Sequence, residues 1–129
     1  MSKEKLIFVV DDDPIINKLV TKRFESDKFR LEAFESGEDC LDAIGKNPDL
    51  IILDYLFMDR DEHKALNGME VFDRLKKVRP KLPVIMLSGQ EKGDVVLELA
   101  RKGIDDYIIK DNNLIDNLDT AITDLFSRK

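Results

Sequence analysis

The sequence is short of the residue types that mark several classes of protein. Cys40 is the only cysteine, so an intrachain disulfide is excluded and a reducing cytoplasm is the expected location. Apolar runs are also short: the first stops at Asp11, too early for a signal peptide, and none approaches the length of a membrane span. An excess of positive charge is missing too. The formal net charge is -6, which disfavours binding to nucleic acid or to anionic lipid.

Charge of mixed sign and short apolar segments are what the sequence has instead. Charged residues make up 37% of the chain and hydrophobic residues 43%, an ordinary hydrophobic content for a globular protein. A chain of 129 residues predicts one domain with a single core, over residues 1–129.

Two continuous apolar segments predict strands that are buried on both faces at the centre of a parallel sheet. One is residues 50–53, which lead directly into Asp54. The other is residues 6–10, which lead into Asp11 and Asp12. Each central strand is therefore predicted to end on a carboxylate.

Three further strands are predicted from shorter patterns. Residues 29–33 alternate between apolar and charged side chains, which is typical of a half-exposed strand at a sheet edge. The segment Leu82 to Leu87 predicts a strand that ends on Ser88, and residues 107–109 predict a strand that ends on Lys110.

Apolar residues at helical spacing follow each strand, and two helix starts carry capping signals. Asp13 before Pro14 suits an N-cap, and Ser36 with Asp39 resembles a capping box for a helix on whose apolar face Cys40 should be buried and inert. Strand and helix thus alternate five times, which predicts an α/β fold with helices on both faces of a parallel sheet. We expect a flavodoxin-like, doubly wound (βα)5 fold with five strands in the order 2-1-3-4-5.

Polar residues stand at four strand ends, which this fold brings together at one edge of the sheet. They are Asp11 and Asp12 after the first strand, Asp54 after the third, Ser88 after the fourth and Lys110 after the fifth. Carboxylates about 4 Å apart repel by roughly 4 kcal/mol at an effective dielectric near 20, so one acid is protonated or a hard cation such as Mg²⁺ is bound. A carboxylate nucleophile, a metal, a lysine and a hydroxyl donor are the groups that phosphoryl transfer needs.

An ordered set of short motifs accompanies these strand ends: Val10-Asp11-Asp12, Asp54, Asn67-Gly68, Ser88-Gly89 and Tyr107-x-x-Lys110. No single motif is specific, but the set in this order resembles the response-regulator receiver domain, the phosphoacceptor module of two-component signalling. The chain is similar to the chemotaxis response regulator, and the resemblance covers nearly its whole length.

The resemblance implies a phosphoacceptor and a metal site. Asp54 would accept a phosphoryl group from a histidine kinase or a histidine phosphotransfer protein and become an acyl phosphate. Mg²⁺, or Mn²⁺, would be bound by Asp12 and Asp54, with Asp11 acting largely through water. The backbone carbonyl of Leu56 would be a further ligand.

The resemblance also implies a switch. Ser88 and Lys110 would hold the phosphoryl oxygens, and Tyr107 would turn inward when Ser88 moves toward the phosphate. The surface built from the fourth helix, the fifth strand and the fifth helix would then signal to a downstream protein target that the sequence does not identify. Such a domain catalyses only its own phosphorylation and dephosphorylation and is not otherwise an enzyme.

Two features depart from the family pattern. The segment between Asp54 and Gly68 is about half a dozen residues longer than the usual loop and lacks its usual proline, and we expect it to serve partner choice or access. Asp111 follows Lys110 where the family usually has proline. Because a cis bond before a non-proline residue costs about 2.5–4 kcal/mol, this peptide bond is predicted to be trans, with Lys110 still reaching Asp54.

Three other functions stay open at this point. Asp11-x-Asp13 with a later Ser88 and Lys110 follows the order of haloacid-dehalogenase phosphatases, although Asp54 then has no role. A flavodoxin-like flavin or nucleotide binder shares the topology but needs a Ser/Thr/Gly-rich loop after the first strand. The third is a receiver domain that is never phosphorylated and acts as a constitutive interaction surface.

Overall fold

The computed structural model of the protein describes residues 4–55, 68–89 and 93–127. Within these ranges five strands alternate with five helices, and a short 3-10 turn, Ile44–Lys46, follows the second helix. The elements are β1 (Lys5–Val10), α1 (Pro14–Phe24), β2 (Phe29–Phe34), α2 (Gly37–Asp42), β3 (Leu50–Asp54), α3 (Gly68–Val78), β4 (Val84–Ser88), α4 (Gly93–Arg101), β5 (Asp106–Ile109) and α5 (Leu114–Ser127). No helix in the described ranges is long and apolar enough to cross a membrane.

The strands form one parallel sheet in the order β2-β1-β3-β4-β5, which confirms the predicted fold class and strand order. In the register of this sheet Val10 pairs with Leu53, and Asp54 pairs with Leu87. Ser88 in turn pairs with Ile109. The ends of β1, β3, β4 and β5 therefore lie at nearly the same level, which is the condition for their terminal side chains to meet.

The sheet lies between two layers of helices, and its buried residues alternate between them. Ile7 and Val9 belong to the apolar cluster on the side of α1 and α5, whereas Phe8 and Leu53 belong to the cluster on the side of α2, α3 and α4. All five residues of β3 are buried, as predicted for a central strand. Asp54 is consequently the last residue of a strand that water does not reach from either face.

Both predicted helix caps are confirmed. Asp13 Oδ1 accepts a hydrogen bond from the Ile15 N–H at 2.9 Å, and Ser36 Oγ accepts one from the Asp39 N–H at 3.1 Å. Each bond satisfies an N–H that has no partner within its own helix. The Asp13 cap also fixes the point at which the chain turns from β1 into α1, directly after the two acids.

The boundaries of β4 and of the helix that carries Cys40 differ from the sequence-based prediction. β4 begins at Val84 rather than at Leu82, because Pro83 has no N–H to donate to the strand ladder. The apolar positions of the helix that carries Cys40 extend to Ile44 in the sequence, and a helix through that residue is the prediction. In the structure α2 ends at Asp42, and the chain continues as the 3-10 turn.

Three large residues of the predicted apolar stripes are exposed. Ile15 and Leu19 on α1 are 73% and 45% exposed, and Val78 at the end of α3 is 53% exposed. Periodicity shows which residues share a helix face, but it does not show how far the neighbouring layer extends along that face. These residues are therefore surface positions rather than core.

Candidate functional site

The predicted site residues that the structure describes converge at the carboxyl edge of the sheet. Asp11 and Asp54 are 0% and 2% exposed, Ser88 is 5% exposed, and Asp12 is half-buried beside them. One carboxylate oxygen each from Asp11, Asp12 and Asp54 lies within 4.8 Å of the other two. Three acids at the ends of two neighbouring buried strands form a site of concentrated negative charge that needs a counterion.

Lys110 supplies one positive charge to this cluster. Its Nζ lies 2.6 Å from Asp11 Oδ2 and 2.9 Å from Asp54 Oδ1, so the lysine bridges two buried acids. Burial alone would lower the pKa of Lys110, but its contacts with the Asp11 and Asp54 carboxylates outweigh burial and raise that pKa. Lys110 is thus held in its charged form and aimed into the site.

The turn after Lys110 explains how the lysine is aimed without a proline. The described residues contain no cis peptide bond, so the bond between Lys110 and Asp111 is trans as predicted. The Lys110 N–H donates to the Ser88 carbonyl at 2.8 Å, and the Asn113 N–H donates to Asp111 Oδ1 at 2.9 Å. A backbone bond to β4 and an Asx turn therefore fix the strand end from both sides.

Asp54 differs from an ordinary surface aspartate in its ionisation. The pKa of Asp54 is raised from 3.8 to about 7. Burial is the largest cause of this rise, repulsion from Asp11 is the next, and repulsion from Asp12 adds a smaller effect, while Lys110 acts in the opposite direction. Asp54 Oδ2 is buried and has no hydrogen-bond partner in the described part of the protein. An unmatched buried carboxylate oxygen beside two further acids is suited to an oxygen-ligated cation such as Mg²⁺.

Gly68 is needed for the close approach of α3 to the backbone of Asp54. Its N–H donates to the Tyr55 carbonyl at 2.8 Å. A Cβ added at Gly68 would lie 2.6 Å from Tyr55 Cα and would also collide with the Asp54 carbonyl oxygen. The glycine of the Asn67-Gly68 motif therefore acts through the backbone next to Asp54, whereas Asn67 itself lies outside the described residues.

Tyr107 lies on the face of the sheet that is covered by α4. It is half-buried and packs, with Tyr55 and Val95, against the apolar cluster on that side. In the sheet it pairs with Met86, two residues before Ser88. The predicted switch pair, Ser88 and Tyr107, is thus placed on neighbouring strands, and the switch itself stays a prediction.

Sequence reasoning missed Asn17 as a site residue. It lies on α1, is 5% exposed, and its Nδ2 donates to the Asp11 carbonyl at 2.7 Å. The signal was present: Asn17 lies three residues before Val20 and seven before Phe24, so a polar residue occupies the buried helical stripe. Buried polar residues in such a stripe require a specific partner.

Two further predictions concern Cys40 and the segment that follows Asp54. Cys40 is buried as expected, and burial raises the pKa of its thiol to about 12, which agrees with an inert side chain. Leu56, the predicted carbonyl ligand, lies outside the described residues, as does nearly all of the long loop between Asp54 and Gly68.

The sequence and the fold of this chain are similar to those of known proteins. The sequence matches the response regulator receiver domain family over residues 7–123. It is 30% identical over 108 residues to the nitrogen assimilation regulatory protein NtrX of Azorhizobium caulinodans, covering 83% of this chain and 23% of that protein. It is 33% identical over 105 residues to the transcriptional regulatory protein CssR of Bacillus subtilis, covering 81% of this chain and 44% of that protein. The chain therefore spans less than half the length of either relative.

Solved structures give the same result. The BeF3-activated receiver domain of DrrB has a TM-score of 0.83 at 28% identity, covering 98% of this chain and 100% of that chain. The response regulator DrrB of Thermotoga maritima, an OmpR/PhoB homologue, has a TM-score of 0.76 at 30% identity, covering 90% of this chain and 50% of that chain.

Fold and site first define a class: a flavodoxin-like α/β domain with an acidic pocket and a lysine at the carboxyl edge of its sheet. The family match then covers most of the chain, and the protein belongs to the response regulator receiver domain family of two-component signalling. Receiver domains are signalling domains, and the match over residues 7–123 places this chain among them.

Proposed function

We propose that Asp54 is the phosphoacceptor of one receiver domain formed by residues 1–129, and that it receives its phosphoryl group from a phosphohistidine of a histidine kinase or a histidine phosphotransfer protein. The observation that carries this proposal is the pairing of the buried Asp54 with Lys110 at 2.9 Å. This pair joins a carboxylate to a fixed cation, and one oxygen each of Asp11 and Asp12 lies within 4.8 Å of an Asp54 oxygen. A carboxylate, a cation and acids that can bind a metal ion are the groups that phosphoryl transfer uses.

In the proposed reaction an oxygen of Asp54 attacks phosphorus, and the phosphorus–nitrogen bond of the donor breaks. Lys110 neutralises charge on the phosphoryl oxygens, and the Ser88 hydroxyl donates a hydrogen bond to one of them. Mg²⁺ or Mn²⁺, held by Asp11, Asp12 and Asp54, would supply further charge neutralisation when bound. Water later cleaves the acyl phosphate and restores Asp54, so the domain acts only on its own phosphoryl group.

The proposed output follows from the same geometry. Ser88 and Tyr107 lie on adjacent strands beneath α4, so a shift of Ser88 toward a phosphoryl group opens space next to Tyr107. An inward turn of Tyr107 would change the surface formed by α4, β5 and α5. That surface is the proposed contact for a downstream protein, and the BeF3-activated form of the DrrB receiver domain supports switching of this kind.

Incubation with acetyl phosphate and Mg²⁺, followed by intact-mass measurement, tests the proposal. We expect a gain of one phosphoryl group, lost on base treatment as for an acyl phosphate, and located at Asp54 after reduction with borohydride. Rapid turnover of small phosphate esters would instead support a haloacid-dehalogenase phosphatase. A folded protein that gains no mass with acetyl phosphate or with any phosphohistidine donor would favour the constitutive interaction surface.

Asp12→Ala is expected to remove the response to Mg²⁺. Wild-type protein should gain melting temperature with Mg²⁺, because the ion binds the folded state preferentially. The variant should melt higher than wild type in EDTA, since one of three mutually repelling acids is gone, and should gain little from Mg²⁺. Asp13→Ala is the matched control, because it removes the neighbouring cap, costs about 1 kcal/mol and should keep the Mg²⁺ response. A full Mg²⁺ response in Asp12→Ala would show that Asp12 is not a ligand.

The start of α1 is the proposed contact for the phosphohistidine donor. Any protein donor must bring its phosphorus within bonding distance of Asp54, so it must cover the rim of the site. Ile15 lies on that rim, three residues after Asp12, and is 73% exposed. Ile15→Glu is expected to slow transfer from a phosphohistidine protein about tenfold, the effect of roughly 1.4 kcal/mol at an interface.

Two controls separate docking from chemistry. Labelling of Ile15→Glu by acetyl phosphate should be unchanged, since a small donor needs no docking surface. Val78→Glu makes the same substitution at another exposed apolar residue, at the opposite end of the sheet, and should transfer normally. Equal slowing by both variants, or normal transfer to Ile15→Glu, would contradict a donor contact at α1.

A further inference from the structure

Asn17 completes the hydrogen bonding of the chain where β1 ends. The β1 strand stops at Val10, and the Asp11 N–H still donates to the Phe34 carbonyl at 3.0 Å. The carbonyl of the same residue, Asp11, accepts a hydrogen bond from Asn17 Nδ2 at 2.7 Å rather than from a neighbouring strand. The same amide also lies 3.3 Å from the Phe34 carbonyl. A side chain of α1 thus takes over where the sheet ladder stops.

This hydrogen bond acts on the peptide that joins Asp11 to Asp12. Because a peptide unit is planar, fixing the Asp11 carbonyl also fixes the direction of the Asp12 N–H and limits the path of the Asp12 backbone. The Asp11 side chain is held independently, by the Asp13 N–H at 2.9 Å and by Lys110. Asn17 is therefore the contact that restrains the backbone between the two acids from the helix side.

An amide at this position leaves one of its two polar atoms unsatisfied among the described residues. Asn17 shares its helix face with Val20 and Phe24, which are both buried and apolar. Its Nδ2 is used, but its Oδ1 is buried with no hydrogen-bond partner in the described part of the chain. An apolar residue would avoid that unsatisfied oxygen, but it would also take the amide donor away from the Asp11 carbonyl. The amide is therefore explained by its donor, which acts on the backbone of the acidic turn.

We propose that Asn17 is a positioning residue for the cation site: it orients the Asp11–Asp12 peptide so that the acids of this turn face Asp54. The inference rests on the proposed function, since it presumes that Mg²⁺ binds among Asp11, Asp12 and Asp54. Groups that orient metal ligands through one hydrogen bond contribute about 10–100-fold to metal affinity.

Asn17→Leu tests the inference, because leucine has nearly the same size and lacks the donor. Calorimetric titration with Mg²⁺ should give a dissociation constant raised by about tenfold. The Mg²⁺ concentration that half-saturates acetyl phosphate labelling should rise by the same factor, while the rate at saturating Mg²⁺ changes little. A residue that only stabilises the fold would lower the melting temperature without moving either Mg²⁺ value.

Thr21→Val is the matched control. Thr21 lies one turn further along α1, and its Oγ1 is likewise buried without a hydrogen-bond partner in the described residues. Removing this hydroxyl alters a buried polar atom on the same helix, and no hydrogen bond joins that atom to the acidic turn. Its Mg²⁺ affinity should equal that of wild type, and an equal loss in Thr21→Val and Asn17→Leu would overturn the inference.

A measurement on the wild-type protein covers the case in which Asn17→Leu does not fold. The Nδ2 protons of Asn17 should exchange slowly with solvent, unlike those of the exposed Asn113, and should shift in the NMR spectrum when Mg²⁺ is added. Fast exchange or no shift would refute the proposal. If the wild-type protein neither binds Mg²⁺ nor accepts phosphate, the proposed function fails. If it does both and Asn17→Leu matches it, only the role of Asn17 fails.

Discussion

Asp54→Asn is expected to lose all phosphoryl incorporation and, in the absence of Mg²⁺, to unfold at a higher urea concentration than wild type at pH 8. The first effect follows from loss of the nucleophilic oxygen. The second follows from removing a negative charge that is disfavoured first by its burial and then by repulsion from Asp11 and Asp12. Loss of function and gain of stability in one substitution are the signature of a charge that is kept for its chemistry.

The stability effect has a defined pH dependence. The pKa of Asp54 is about 7 in the folded state against 3.8 for an unperturbed aspartate, so the folded state binds the proton more tightly. The wild-type free energy of unfolding therefore falls as pH rises from about 4 to about 7, and the full penalty is present above that range. At about 1.4 kcal/mol for each unit of pKa difference, it is on the order of 4 kcal/mol. Asparagine does not ionise, so its advantage should be large at pH 8 and small at pH 4.

Urea unfolding in EDTA at several pH values measures this difference. Asp42→Asn is the matched control, because it makes the same substitution at an exposed position at the end of α2. The control should show little change in stability at any pH. If Asp54→Asn is less stable than wild type at pH 8, or if its gain in the free energy of unfolding does not depend on pH, the ionised Asp54 carboxylate does not destabilise the fold. Labelling of Asp54→Asn equal to wild type would place the phosphoacceptor elsewhere.

The parts of this molecule that follow from local pattern were predictable from the sequence. The buried run that ends on Asp54 specified a central strand, and the order of the elements specified the sheet order. Because parallel strands end at one edge, the meeting of Asp11, Asp54 and Lys110 followed from topology alone. The trans bond after Lys110 followed from the cost of the cis form.

What the sequence did not specify depends on packing between layers. Ile15 and Leu19 have the helical spacing of core residues, but the spacing does not show whether another element covers them, and both are exposed. The place of Asn17 in the buried stripe could be predicted, but its role could not, because its partner is the backbone carbonyl of Asp11 and no residue pattern identifies a backbone partner. The start of β4 was placed too early because Leu82 and Pro83 continue the apolar run of the strand. Leu82 is indeed buried, but the strand begins only at Val84.

Lys110→Met is expected to cause the largest loss of stability among the site variants in the absence of Mg²⁺. Methionine keeps most of the length of the lysine stem and removes only the charge that bridges Asp11 and Asp54. The lysine side chain is 20% exposed and the two acids are at most 3% exposed, so water does not replace the lost partner. Removing one member of a buried ion pair costs about 3–5 kcal/mol. The loss should be smaller at pH 5, where Asp54 takes up a proton.

A double-mutant cycle isolates the pair. In an Asp54→Asn background Lys110→Met should cost at least about 1 kcal/mol less than in wild type, because one of the two charges it neutralises is gone. Lys46→Met is the control: Lys46 also pairs with a carboxylate, Glu32, at 2.9 Å, but its side chain is 58% exposed, so its loss should cost less than about 1 kcal/mol. Mg²⁺ should restore much of the stability of Lys110→Met, since a bound cation takes over the compensation of the acids. Equal costs in both backgrounds, with no recovery in Mg²⁺, would mean that Lys110 supports the fold by packing rather than by holding the charge of Asp54.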